Sequence, residues 1–184
     1  MELIDISTQG YKYKEDVRKL YEEAFPDEEK KPWVVMERLV DEGKMELLAI
    51  VEEDMFVGLA MNMLSEKTAL LDYFAIAADK RSGGYGGRAV RMLQERFAGK
   101  KYIFEIEMQD PQADNAEERR RRKAFYLRNG LKETGVFANV YSTDFELLTP
   151  DGSLTFEEYV DMLRYILGEE GLAVLNPIHY CKKL

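Results

Sequence analysis

Apolar positions along the chain recur at two spacings, and the switches between them outline the elements. Residues 1–7 read as a short first strand. From residue 11 to 25 the positions Tyr13, Val17, Leu20, Tyr21 and Ala24 fall at helical intervals among charges, which predicts a helix stopped by Pro26. A charged loop bounded by Pro26 and Pro32 follows, then a second helix over 33–40 that ends near Gly43. Residues 45–52, 55–64 and 68–77 are three apolar runs separated only by Glu53-Asp54 and Ser65-Glu66-Lys67. Connectors this short predict hairpins, so the three strands should be antiparallel neighbours.

The second half switches between the two periods. Residues 88–98 carry Ala89, Val90, Met92, Leu93 and Phe97 on one helical face, and residues 102–108 read as a strand. Strand, turn, helix, strand is a crossover unit, so the third hairpin strand and this one should be parallel neighbours. A polar loop over 110–115, a helix over 116–129, strands over 131–137 and 139–148, and a turn over 149–152 come next. Thr155 with Glu158 three residues on forms a capping box for a helix to about Leu167, and residues 171–184 show no period. The prediction is a mixed α/β (α+β) fold: a mostly antiparallel central sheet with one parallel, splayed strand pair, flanked by helices. At 184 residues a single domain is expected over 1–184, with a core over 1–148 and residues 149–184 as a C-terminal helix and tail extension.

Composition narrows the function. A chain that is 46% hydrophobic and 33% charged is an ordinary globular protein, and its net charge of -9 argues against nucleic-acid partners, which need a basic surface. The single cysteine, Cys181, forms no internal disulfide and no thiolate metal cluster, so a reducing cytoplasm is expected. The first residues lack a basic stretch followed by an apolar run, and no apolar stretch reaches the length of a membrane span, so neither secretion nor membrane insertion is expected. His179 is the only histidine, which leaves a serine or cysteine triad and a multi-histidine metal site without a second component; no metal is expected.

The chemistry points to the turn between the third hairpin strand and the next helix: Arg81, Ser82, Gly83, Gly84, Tyr85, Gly86 and Gly87. A glycine-rich turn that opens a helix presents free N–H groups and the positive end of the helix dipole, a seat for a phosphate or pyrophosphate. The lysine and hydroxyl residue of a nucleotide-binding loop are missing after Gly87, where Arg88-Ala89 stand. The preceding hairpins also differ from the repeated parallel unit of a dinucleotide fold.

Two motifs carry a family resemblance. Arg81, Gly84 and Gly86 fit the pattern of Arg or Gln, two residues, Gly, one residue, Gly or Ala. The stretch Phe125-Tyr126-Leu127-Arg128-Asn129-Gly130-Leu131 fits a later helix that ends in Gly and an apolar residue. In this the chain resembles the GNAT family of N-acetyltransferases over residues 1–148. The resemblance implies acetyl transfer from acetyl-coenzyme A to an amine by direct attack, on a small-molecule or peptide acceptor, without a metal. It implies that the backbone of Phe74, Ala75, Ile76 and Ala77 pairs with the pantetheine arm, that the N–H groups of Ser82 to Gly87 hold the pyrophosphate, and that Arg81 adds charge. Arg88 or Arg91 are further candidates for that charge. Tyr126 matches the family's acid, which protonates the departing thiolate; the alternative is a core tyrosine. The loop carrying Phe25 and Trp33 is expected to border the acceptor site.

A base must also be supplied. Strand alternation puts Glu105 and Glu107 on one face with Ile103, and two carboxylates on a central strand call for an explanation. They either take the amine's proton through water, Glu105 first and Glu107 second with Asp72 as a third choice, or pair with basic residues of the run Arg119 to Lys123. That run reads as a solvated helix face. A non-catalytic acyl-coenzyme A sensor or scaffold is the alternative function, and pairing of the last strands with a second copy would make a homodimer.

Overall fold

A computed structural model describes residues 1–8, 11–140 and 143–179. In chain order it contains strand β1 (Glu2–Asp5), helices α1 (Lys14–Ala24) and α2 (Trp33–Asp41), strands β2 (Met45–Glu52), β3 (Met55–Leu64) and β4 (Thr68–Ile76), and helix α3 (Tyr85–Arg96). Strand β5 (Lys101–Glu107), helix α4 (Ala116–Arg128), strands β6 (Lys132–Val140) and β7 (Thr143–Thr149), helix α5 (Phe156–Leu175) and strand β8 (Ile178–His179) complete it. The strands form one sheet in the order β1-β2-β3-β4-β5-β7-β6-β8, mixed with a single parallel pair and flanked by the five helices. This is the architecture the spacing of apolar residues predicts.

The chain divides into two compact units, Met1–Leu64 with Leu71–Arg96, and Ser65–Leu70 with Phe97–Leu184. In the first unit β2 pairs antiparallel with β1 and with β3. Leu47 to Val51 on β2, and Val57, Leu59, Ala60 and Met61 on β3, are all buried, with no polar alternation. Such runs arise where both faces of a sheet are covered. Val17, Leu20 and Tyr21 of α1, Met36 and Leu39 of α2, and Ala89, Val90 and Leu93 of α3 are the buried helix positions.

In the second unit the beginning of β4 adjoins the beginning of β5, where the Lys101 N–H donates to the Lys67 carbonyl at 3.0 Å. From there β7 pairs antiparallel with β5 and with β6. Tyr102, Ile103, Phe104 and Ile106 of β5 are buried together with Tyr126 of α4 and Tyr159, Met162, Leu163 and Ile166 of α5.

Three boundaries differ from the sequence expectation. Helix α3 starts at Tyr85 rather than residue 88, which places Gly86 and Gly87 in its first turn. Strand β6 continues to Val140, because Ala138, Asn139 and Val140 pair with Phe145, Asp144 and Thr143. Helix α5 does not end near Leu167: Gly168 takes φ 72°, ψ 176°, and helix resumes beyond it to Leu175. A glycine tolerates that left-handed backbone, so an apolar helix bends there instead of stopping. Cys181 lies outside the described residues.

Candidate functional site

In the first unit the end of β4 is drawn tightly against β3. A Cβ on Gly58 would stand 2.4 Å from the Ala75 carbonyl oxygen and 3.2 Å from Ile76 Cα, so this approach requires glycine. The Ala77 N–H donates to the Val57 carbonyl at 3.0 Å. Strand alternation then directs the backbone groups of Phe74 and Ile76 to the opposite edge of β4. Their side chains pack against the Ile50, Val57 and Ala89 cluster under α3, while Ala75 is buried and keeps a small profile.

After a short 3-10 turn over Ala78–Lys80 the chain enters the glycine turn. Ser82 (φ 66°) and Gly84 (φ 78°) are both left-handed, which reverses the chain into α3 within three residues. Residues Arg81 to Gly84 are exposed, and Tyr85 packs its ring against the Ile50, Val57 and Ala89 cluster. The first N–H groups of α3 have no partner one turn earlier inside the helix, and Gly86 and Gly87 add no side chain over them. Arg81 Nε donates to the Ile76 carbonyl at 3.2 Å, and its two terminal nitrogens have no partner among the described residues. Positive backbone, helix dipole and a tethered guanidinium thus share one exposed turn, a fit for a pyrophosphate. Arg88 is engaged elsewhere, bidentate on Glu52 at 2.7 and 3.1 Å. Glu52 is held down at about 2 by Arg88 and by the Met1 amino group.

The loop carrying Phe25 and Trp33 is clasped in the same unit. Tyr73 Oη donates to the Glu29 carbonyl at 2.6 Å and accepts from the Lys31 N–H at 3.1 Å. Tyr21 Oη donates to the Lys31 carbonyl at 3.0 Å, and Lys31 Nζ reaches both oxygens of Asp72 at 2.9 Å. Rings of Tyr21 and Phe25 each meet Tyr73 edge-on at 4.9 Å. Burial, with Asp72 next, pushes the Tyr73 phenol up to about 12, so it remains a donor. Asp72 therefore sits in an ion pair that pins the loop to β4. Neither Tyr21 nor Tyr73 is conspicuous in sequence, because each reads as an ordinary core aromatic.

In the second unit Tyr126 lies on the α4 face turned to β5, its ring 5.4 Å from that of Phe104 and 5.2 Å from that of Phe125. Its side chain is 8% exposed and, among the described residues, its hydroxyl has no hydrogen-bond partner. Burial pushes the phenol up to about 12, against a smaller opposing effect of Arg122. The ring is buried, but the hydroxyl is not among the buried unpartnered polar atoms, so its tip reaches solvent.

The two strand carboxylates differ. Glu107 is gripped by Arg119 (3.0 Å), Arg122 (2.6 Å) and Asn115 Nδ2 (3.1 Å). Burial alone would raise its carboxyl; Asn115, Arg119 and Arg122 outweigh it and hold it below the usual range. Glu105 instead accepts from Tyr159 Oη of α5 at 2.5 Å. Phe104 and Glu105 are consecutive, so Tyr126 and Glu105 occupy opposite faces of β5. The basic run of α4 is only partly solvated: Lys123, 16% exposed, places Nζ 2.8 Å from both oxygens of Glu146, itself 3% exposed. It also pairs with Glu133. The burial of Glu146 carries no sequence signal of its own, since among Thr143, Asp144 and Thr149 it reads as one more solvent-facing residue of β7. His179 stacks on Phe156 at 4.8 Å. Among the described residues no cluster of metal-ligating side chains occurs.

No protein-family model matches the chain, and no curated protein matches it significantly. Solved structures do match. A protein of Bacteroides thetaiotaomicron assigned to the GNAT family of acetyltransferases is 24% identical, with a TM-score of 0.70 over 91% of this chain and 96% of that one. An aminoglycoside 6'-N-acetyltransferase in complex with coenzyme A is 18% identical, with a TM-score of 0.61 over 81% of this chain and 96% of its own. The corresponding enzyme of Enterococcus faecium is 16% identical, with a TM-score of 0.57 over the same shares, 81% and 96%.

Proposed function

We propose that this chain, which has the fold of the GNAT acetyltransferases, transfers the acetyl group of acetyl-coenzyme A to a primary amine by direct attack. The observation that carries this is the exposed turn from Arg81 to Gly87: left-handed at Ser82 and Gly84, opening α3, and tethered by Arg81 to the end of β4. Those groups match a pyrophosphate, and the outward backbone groups of Phe74 together with the Ile76 N–H match the amide-bearing arm behind it, the Ile76 carbonyl being held by Arg81.

The reaction forms a C–N bond and breaks a C–S bond. Tyr126, neutral because burial keeps its phenol near 12, donates its proton to the departing thiolate. Glu105 takes the proton that the amine loses, through water. Glu107, whose carboxyl Asn115, Arg119 and Arg122 hold below the usual range, is the second choice as base and serves chiefly to hold α4. Tyr126 and Glu105 lie on opposite faces of β5, so Tyr126 alone is assigned direct contact with the reacting atoms and Glu105 acts at a distance through the water.

We further propose a small-molecule amine as acceptor, with aminoglycosides as the first class to test, since two matched structures are of aminoglycoside acetyltransferases. A cytoplasmic location follows from cysteine usage alone. Thermal-shift titration with acetyl-coenzyme A, followed by thiol release in the presence of kanamycin A, spermidine or a lysine peptide, tests the activity. No stabilisation by the coenzyme sinks the proposal, and light scattering at two concentrations decides between monomer and homodimer.

A further inference from the structure

Helix α5 lies beyond both motifs that carry the resemblance, yet its first turns are anchored at three points to the strands of its unit. Its start is held by a reciprocal cap: the Glu158 N–H donates to Thr155 Oγ1 at 3.2 Å, and the Thr155 N–H donates to Glu158 Oε2 at 2.8 Å. The other Glu158 oxygen takes Lys101 Nζ, at the start of β5, at 2.7 Å. About one turn beyond Glu158, Thr68 Oγ1 of β4 lies 2.8 Å from Met162 Sδ. Between these anchors Tyr159 is fully buried and points at β5, where its hydroxyl donates to Glu105 Oε1 at 2.5 Å.

Packing does not require this hydroxyl. Phenylalanine would fill the same volume, and an apolar β5 residue would remove any need for a donor. Tyrosine and glutamate together place one carboxylate on a buried helix-covered face and lock its plane through a short, charge-assisted bond. A base working through water gains from a fixed plane, because proton transfer depends on the direction of the accepting lone pair.

We propose that Tyr159 is the positioning residue of Glu105, which makes the C-terminal helix part of the catalytic apparatus rather than an appendage. This rests on Glu105 being the base of the proposed acetyl transfer. The test uses the full chain and two independent readouts. In proton NMR the wild type shows a resonance downfield of the amide region from the Tyr159 hydroxyl, missing from both Tyr159→Phe and Glu105→Gln. In steady-state thiol release with acetyl-coenzyme A and kanamycin A, spermidine or a lysine peptide, Tyr159→Phe lowers kcat on the order of 10-fold and leaves the KM for acetyl-coenzyme A unchanged. Glu105→Gln lowers kcat by about 10²-fold or more. Adding Tyr159→Phe to Glu105→Gln has no further effect. Lys101→Met, which releases Glu158 but keeps Tyr159, lowers Tm without changing kcat.

The proposal is overturned if the downfield resonance is absent from the wild type or survives in Tyr159→Phe. It is also overturned if Tyr159→Phe costs the same kcat with and without Glu105, or if Lys101→Met reproduces its kcat loss. A wild type that shows the resonance and binds acetyl-coenzyme A but acetylates none of these amines overturns the base assignment of Glu105 itself, a failure of the activity rather than of the contact.

Discussion

Gly58→Ala is the substitution whose consequence follows most directly from the geometry. The new Cβ would lie 2.4 Å from the Ala75 carbonyl oxygen and 2.9 Å from Ile76 Cδ1, where contacts under 3.0 Å essentially never occur. The Ile76 methyl can rotate away; the carbonyl can move only with its strand, which must retreat by about 0.6 Å or more. Overpacking of this kind costs about 1–3 kcal/mol. For a chain of this size each kcal/mol lowers Tm by about 2–4 °C, so a fall of about 2–12 °C is expected. The retreating segment is also the proposed coenzyme edge, from Phe74 to Ala77, so affinity for coenzyme A should drop about 10-fold, or about 1.4 kcal/mol. Differential scanning fluorimetry and isothermal titration with coenzyme A read the two effects separately. Gly99→Ala is the control: nothing lies within 4 Å of its Cβ and its φ is not left-handed, so Tm should stay level or rise slightly. An unchanged Tm for Gly58→Ala refutes the claim that glycine is needed there. A lowered Tm with unchanged coenzyme affinity refutes the link between that contact and the coenzyme edge.

Tyr126→Phe should leave Tm unchanged or slightly raised, since the hydroxyl has no partner to lose, while kcat falls on the order of 10²-fold. The raised Tyr126 phenol also means that its contribution to stability is complete below about pH 10 and is lost as pH climbs toward about 12, which alkaline melting of the two proteins would show. Lys123→Met leaves the buried Glu146 without its cation and should cost about 3–5 kcal/mol in denaturant melts, with most of the loss restored in Lys123→Met/Glu146→Met. Burial holds the Glu146 carboxyl above its ordinary value against Lys123, so the single variant loses most as pH rises past the usual carboxylate range and regains stability on acidification. Glu107→Gln should cost about 1–3 kcal/mol at pH 7. Because the folded carboxyl is depressed, that difference is present above about pH 4.5 and closes as pH falls through the lower folded value.

Most of the element order was legible because each element carries its own period: hairpins from short polar connectors, the crossover from strand, glycine turn and helix. The boundaries that shift lie beside glycine or asparagine, residues whose local preference is to break an element. Gly168 bends α5 without ending it, and Ala138 to Val140 continue β6 because pairing with β7, a non-local contact, decides where the strand ends. The glycine turn was legible since it is contiguous in sequence. Its supports were not: Gly58 is 17 residues ahead of Ala75, and its meaning lies in an approach between strands that no local pattern encodes. Tyr159 and Glu105 are 54 positions apart, and Lys123 and Glu146 are 23 apart. A single polar residue in an apolar run is the one signal for such a pair, and it marks Glu105, since a buried polar group must find a partner.

Alternation on β5 joins these observations. A strand with period two offers consecutive residues to opposite environments, and β5 uses this where Phe104 meets the ring of Tyr126 on α4 while Glu105 meets the hydroxyl of Tyr159 on α5. Separated by the strand, the Tyr126 phenol is pushed up by burial while the Glu105 carboxyl accepts from a phenol donor. A one-residue slip of β5 relative to β7, where Glu105 now pairs with Leu147, would exchange the two faces and bring the carboxylate under α4. The register of β5 is therefore a packing requirement on which the proposed division between acid and base also depends. The side chains that enforce it are Tyr102, Phe104 and Ile106 on one face and Ile103 on the other, all buried.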